Sequence, residues 1–181
     1  MRAAFLTADD AAEWDDAPRV VLGEASPGVG KVVASVGVVL DDGRRWRIDL
    51  CHGLGYSHRS EVRCVGPVVH VGYGEQTAVF RPSDARMWSY PLDGYFGGFD
   101  LPADLDGADA DGRVFATSAS ELLRFGADGV LEWRASGLGI DGVVLHRIAG
   151  DTIEGSGEWD PPGGWKPFRV RLSTGERLAP E

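Results

Sequence analysis

The sequence predicts an all-β fold built from four antiparallel modules in tandem. Three observations carry that prediction. Short apolar runs are punctuated by glycine-rich turns, several runs alternate apolar and polar residues, and one pattern recurs about every 45 residues. The chain has 181 residues, 26 of them glycine, and the glycines follow no G-x-y period. Hydrophobic residues make up 43%, enough to build a core in a single domain spanning 1–181.

The recurring pattern is a polar turn followed by a large apolar residue. It occurs at DDGRRWRIDL (41–50), PSDARMWSYPL (82–92), GADGVLEWRAS (126–136) and LSTGERLAPE (172–181). The apolar residues are Trp46, Trp88, Trp133 and Leu178, separated by 42, 45 and 45 positions. An apolar strand precedes each turn, at 36–40, 77–80, 121–125 and 168–172. The last alternates Phe168, Val170 and Leu172 with Arg169 and Arg171, the signature of a strand with one buried face. Asp-Gly at 42–43 and 128–129 marks tight hairpins, because both central residues of such a turn favour positive φ.

A further strand is expected upstream of each hairpin, at 19–23, 65–71, 113–117 and 151–155, and a fourth most clearly at 142–148. Each unit of three or four strands has the size of a propeller blade. The implied repeats are approximately 1–50, 51–92, 93–136 and 137–181. At the N-terminus, Thr7 is placed to cap a short helix through Ala12 and Trp14, with Asp9 and Asp10 in its first turn. A degenerate outer strand is the alternative there.

The stretch DADGRVFATSASELLRFGADGVLEWRAS (109–136) resembles a β-propeller repeat of the PQQ-like (WD40-like) type. Asp111-Gly112 stands at the turn before an apolar strand, Leu122 to Phe125 at the next strand, and Gly129 to Trp133 at the G-x-L-x-W ending. The other three units match mainly at the final hairpin. The resemblance implies radial sheets forming either a small β-propeller or an open propeller-like arc, often a binding scaffold. Quinone-dependent dehydrogenases of that family have about twice as many blades and a vicinal cysteine pair. The sequence has neither, so their activity is not carried over.

In such a fold, the loops between second and third strands share one face with the connections between blades. Trp159, Asp160 and Trp165 fall in the first class, with Glu75, Gln76, Ser118, Ser120 and Glu121. The connections are 51–58, 92–99 and 136–142, bringing Tyr56, His58, Tyr95, Phe96, Phe99 and Asp141. Rigid aromatics are favoured contact residues, so the expected binding set is Trp159, Asp160, Trp165, Tyr56, His58, Tyr95, Phe96 and Asp141. GEWDPPGGW (157–165) has two compatible readings: indoles that brace the turn against Pro161 and Pro162, or a loop made to touch a partner.

Other chemistry is thinly represented. Cys51, His52, His58 and Cys64 lack a chelating spacing, and the two cysteines read as free thiols. Residues 104–112 suggest calcium but depart from the EF-hand pattern, and D-x-D-G is also an ordinary turn. No G-x-S-x-G, phosphate loop or dinucleotide fingerprint occurs. His70 and His146 lie in strand patterns and read as structural. Asp141 and Glu158 would serve acid–base chemistry if they met. No cofactor and no metal are expected.

The balance of 18 Lys+Arg against 28 Asp+Glu, a net charge of −10, argues against nucleic acid and anionic membranes as partners. A basic partner would be attracted, though acidity alone is also a common solubility device. No 18-residue apolar segment occurs, and the five-residue apolar run near Met1 is short for an export signal, so a cytoplasmic location is expected. The leading expectation is a non-catalytic module that binds a protein, for example a bacterial immunity-type protein that blocks a basic toxin. The alternative is a small hydrolase or lyase using carboxylates or a metal at the centre of the blade face. Half of a ring completed by homodimerisation is a third.

Overall fold

A computed structural model describes residues 1–23, 31–51, 59–105 and 112–179. Among these residues, fifteen strands form four sheets in chain order. The first holds β1 (Arg2–Phe5), β2 (Arg19–Leu22), β3 (Val32–Val39) and β4 (Arg45–Cys51), with α1 (Ala8–Glu13) between β1 and β2. The second is the meander β5 (Ser60–Val65), β6 (Val68–Tyr73), β7 (Gln76–Arg81) and β8 (Arg86–Pro91). The third is the meander β9 (Phe96–Asp100), β10 (Val114–Ser118), β11 (Leu122–Phe125) and β12 (Leu131–Ala135). The fourth holds β13 (Val143–Ala149), β14 (Thr152–Glu158) and β15 (Trp165–Arg171), extended by a single bridge between Val170 and Arg177.

The sheets stack because the middle ones are apolar on both faces. In β6, Val69 and Val71 pack with Val36, Val38, Ile48 and Leu50 of the first sheet. The alternate residue Val68 joins Val114, Ala116, Leu123 and Phe125 of the third. Phe115, between Val114 and Ala116, turns the other way and packs with Leu145, Ile153 and Phe168 of the fourth. The period of two thus switches each strand's side chains between two cores. The first strands approach one another, β1 beside β5 and β5 beside β9. Among the described residues, no buried cluster joins the fourth sheet to the first.

The last strands keep a common register. Trp88 lies opposite Val79, and Trp133 opposite Arg124, each nine positions along the chain. The Leu178 N–H reaches the Arg169 carbonyl at 2.9 Å, the same interval. Trp46 sits one position tighter, opposite Val38.

The first sheet departs from the expected all-antiparallel plan. β2 runs parallel to β4 at the edge, with order β1-β3-β4-β2. β1 and β2 therefore run in the same direction at opposite edges of the sheet, and the connection that carries the chain between them contains α1. The helix begins as expected: Thr7 Oγ1 accepts the Asp10 N–H at 3.2 Å while Asp10 accepts the Thr7 N–H at 3.1 Å, a capping box. Its residues then cover the back of the first sheet. A Cβ on Gly37 would meet the Trp14 ring at 2.7 Å. Beneath, buried Arg47 bonds Asp49 at 2.6 Å and the Ala11 carbonyl at 2.9 Å, and Ser35 donates to Asp49 at 2.6 Å. A buried ion pair holds together where further hydrogen bonds join it, and here the Ser35 hydroxyl and the Ala11 carbonyl supply them.

Candidate functional site

In a four-stranded meander, the second turn and the exit connection lie at the same end. Residues 74–75, 119–121 and 159–164 are such turns, and 92–95 and 136–142 are such connections. Hydrogen bonds tie them into one seam. Leu92 N–H donates to Glu75 O at 2.9 Å and Phe96 N–H to Gly74 O at 2.7 Å. Ala119 N–H donates to Tyr95 O at 3.1 Å, Leu138 N–H to Ser120 O at 2.9 Å and Gly142 N–H to Ala119 O at 2.9 Å. Ile140 N–H then reaches Glu158 O at 2.8 Å. The seam runs from the second sheet to the fourth.

Glu121 organises its middle. Its buried carboxylate accepts the Asp93 N–H at 2.8 Å and the Ser136 hydroxyl at 2.8 Å, with Arg134 at 3.6 Å. Ser118 Oγ accepts the Glu121 N–H at 3.0 Å, and the Ser120 hydroxyl donates to Asp93 at 2.8 Å. Charge-assisted bonds to a buried carboxylate hold loop backbone in place. The S-A-S-E turn was legible as a loop; its bracing role was not.

The Trp159–Trp165 turn is braced by its own backbone. Trp159 N–H donates to Gly164 O at 3.0 Å, Gly164 N–H to Asp160 O at 3.0 Å, and Gly163 N–H to the Glu158 carboxylate at 2.6 Å. Pro161 and Pro162 are exposed. Half-buried Trp159 carries Lys166 Nζ at 5.9 Å from its ring centroid. Trp165 is 44% exposed and lies over Gly142, whose added Cβ would sit 3.1 Å from the indole. Gly157 is required by the seam itself: a Cβ there would lie 1.7 Å from the Leu138 carbonyl oxygen.

Asp141 and Glu158, the last residue of β14, meet through their main chains. The Asp141 N–H reaches Glu158 O at 3.4 Å, and the Asp141 carbonyl accepts the Tyr95 hydroxyl. Burial, then the charge of Asp141 and its hydrogen bond, then Glu158, push the Tyr95 phenol above its ordinary range. Tyr95, Asp141, Trp159, Asp160 and Trp165 therefore share one end of the molecule. Tyr56 and His58 lie outside the described residues.

Phe96 does not belong to this surface. It is fully buried, and so nearly is Phe99, because 96–100 is strand β9 rather than connecting loop. The Phe96 ring fills the space above Gly72, where a Cβ would approach within 2.2 Å. The glycines of FGGF suit close packing: Gly97 lies against Thr117, and Gly98 against Arg59.

A second polar cluster lies where β5 meets β9. Burial first, then the charges of Asp104 and Glu61, push the Asp100 carboxyl up to about 6, against the pull of Arg59 and Arg63. Glu61 accepts from Arg63 at 2.6 Å and from the Phe99 N–H at 3.1 Å. The calcium-like segment lies mostly outside the described residues, as do His52 and His58. Among the described residues, no three His, Cys, Asp or Glu side chains are grouped to hold a metal ion. Cys51 and Cys64 are free thiols. Among the described residues, no helix is long and apolar enough to cross a membrane.

Comparison with models of protein families found no match, and comparison with curated proteins found none either.

Proposed function

We propose that the chain is a non-catalytic protein-binding module, a propeller-like arc whose rim loops are the contact surface. The observation that carries this reading is the hydrogen-bonded seam with exposed Trp165 beside Asp141, Glu158 and Asp160. Braced loops lose little conformational freedom on binding, and a rigid indole supplies large contact area. Carboxylates around it favour a basic partner, as an immunity-type protein facing a basic toxin would require. Successive sheets, adjoining first strands and the shared register of Trp88, Trp133 and Leu178 support the propeller-like reading.

One observation favours the acid–base alternative. A carboxyl near 6 can exchange a proton close to neutral pH, and Asp100 stands between first strands, toward the centre of such an arc. Burial accounts for the largest part of that displacement, which is equally a structural effect.

Affinity capture tests the rim. Partners enriched by the wild type are expected to fall at least about tenfold with the Trp159→Ala/Trp165→Ala double variant, since hot-spot aromatics each contribute about 2 kcal/mol or more. Equal capture by both proteins would overturn the rim reading.

A further inference from the structure

The chain's own indoles show what this fold sets against a tryptophan. Of the six, three lie under a cation: Trp14 under Arg45 at 5.1 Å, Trp88 under Arg81 at 4.9 Å and Trp159 under Lys166 at 5.9 Å from the ring centroid. Trp46 meets Phe80 edge-on at 5.4 Å, and Trp133 is buried beside Phe115. Trp165 is left. It is 44% exposed, and among the described residues neither a ring nor a cation covers it. Arg81 gives the fullest pattern. Its guanidinium lies over Trp88 while Nε and Nη2 donate to the Asp84 carboxylate at 3.0 and 2.7 Å.

We infer that Trp165 and Glu158 form a receptor for one arginine side chain of the partner protein, an inference that rests on the rim reading. The two residues are cross-strand partners, so indole and carboxylate stand on the same face of the hairpin. A methyl carbon placed on Gly142 would lie 3.1 Å from the indole and 3.9 Å from Glu158 Oε2, so both border the same space. Glu158 Oε1 is fixed by the Gly163 N–H at 2.6 Å, while among the described residues Oε2 has no hydrogen bond. Asp141 and Asp160 are exposed, and among the described residues neither they nor Glu158 form a salt bridge. The Tyr95 phenol reports the local potential: burial first, then Asp141 and Glu158, hold it above its ordinary range. The rim thus presents the indole and the carboxylate of the Arg81 pattern without the guanidinium.

Arginine suits this space better than lysine. A planar guanidinium stacks on an indole while its edge donates to a carboxylate, and it sheds water more readily than an ammonium. Charge complementarity assigns that arginine to a different protein, because a second copy meeting rim to rim would set carboxylates against carboxylates.

The test is a titration of the whole chain with a blocked Gly-Arg-Gly tripeptide and its lysine and citrulline counterparts, read at the Trp165 indole N–H resonance. The arginine peptide is expected to shift that signal saturably, with a dissociation constant of about 1–10 mM. Citrulline, of the same shape but uncharged, should bind at least about tenfold more weakly, and lysine about threefold more weakly. Glu158→Gln, which keeps an acceptor for the Gly163 N–H, should weaken arginine binding at least about tenfold. Asp42→Asn, on the exposed turn at the opposite end, should leave it unchanged. All variants are compared at matched circular dichroism. Equal binding of the three peptides, or arginine binding insensitive to Glu158→Gln, would overturn the inference. If the Trp159→Ala/Trp165→Ala variant still loses partner capture in that case, the rim reading stands without it. Equal capture by that variant and the wild type would remove the rim reading and this inference together.

Discussion

Replacing Trp133 by alanine is expected to cost about 3–5 kcal/mol of unfolding free energy, the range for a large buried aromatic. The ring is 9% exposed and lies in the core shared by the third and fourth sheets. It also lies under Gly175, where an added Cβ would come within 2.6 Å of the indole, and its N–H donates to the Leu172 carbonyl at 2.9 Å. The indole thus fastens β12 to the final turn of the fourth sheet. Its loss leaves a cavity that neighbouring strands cannot close without shifting the sheet. Denaturant titration gives the magnitude, and amide exchange locates it: protection should fall in β13–β15 before β5–β8. Trp133→Phe, which keeps a ring but loses the N–H, should cost markedly less. A uniform loss across all four sheets, or a change under about 1 kcal/mol, would contradict this role.

Stability between pH 4 and 6.5 should depend on two buried groups acting in opposite directions. His70 is fully buried between the second and third sheets, edge-on to Phe99 at 5.8 Å and Phe125 at 5.4 Å, with neither ring nitrogen hydrogen-bonded among the described residues. Burial lowers its pKa from 6.5 to about 4. The unfolded chain therefore binds the proton first. Stability from this group is complete above pH 6.5 and is lost as pH falls toward 4, by about 3 kcal/mol in all. Asp100, raised from 3.8 to about 6, does the reverse. Its native form binds the proton first, so its contribution grows as pH falls from 6 to 3.8, again by about 3 kcal/mol. The two slopes nearly cancel in the wild type. His70→Leu should remove the acid loss, leaving a variant that gains stability relative to wild type as pH drops through this window. Asp100→Asn should unmask the histidine and become more acid-labile than wild type. Denaturation at pH 7, 6, 5 and 4 checks both. Parallel pH profiles for wild type and both variants would show that neither group is displaced as described.

How far the sequence was legible follows from how local each signal is. The hairpins of 76–91 and 122–135 depend on turn residues and period-two alternation, and both were readable. So was the Thr7 cap, which needs only residues within one turn. β9 was missed because FGGFD looks like loop; its strand character comes from pairing with β10 and from packing of Phe96 on Gly72, both distant along the chain. The parallel placement of β2 was equally hidden, since it depends on where α1 carries the chain. At the rim, the convergence of Tyr95, Asp141 and Trp165 followed from the parity of turns in a meander. The carboxylate of Glu121 as its internal brace did not, because its partners Asp93 and Ser136 come from two different connections. The displaced proton affinity of Asp100 arises from burial and charges on β5 and the turn after β9, a tertiary effect with no local signature.

In the proposed function, one end of the molecule is the contact surface. Amide hydrogen exchange on the chain, free and with a partner recovered by affinity capture, measures this directly. Protection should rise in residues 92–96, 119–121, 138–142 and 158–165, while the turns at 41–44 and 82–85, at the opposite end, exchange at unchanged rates. Protection confined to those opposite turns, or no change along the seam on binding, would contradict it.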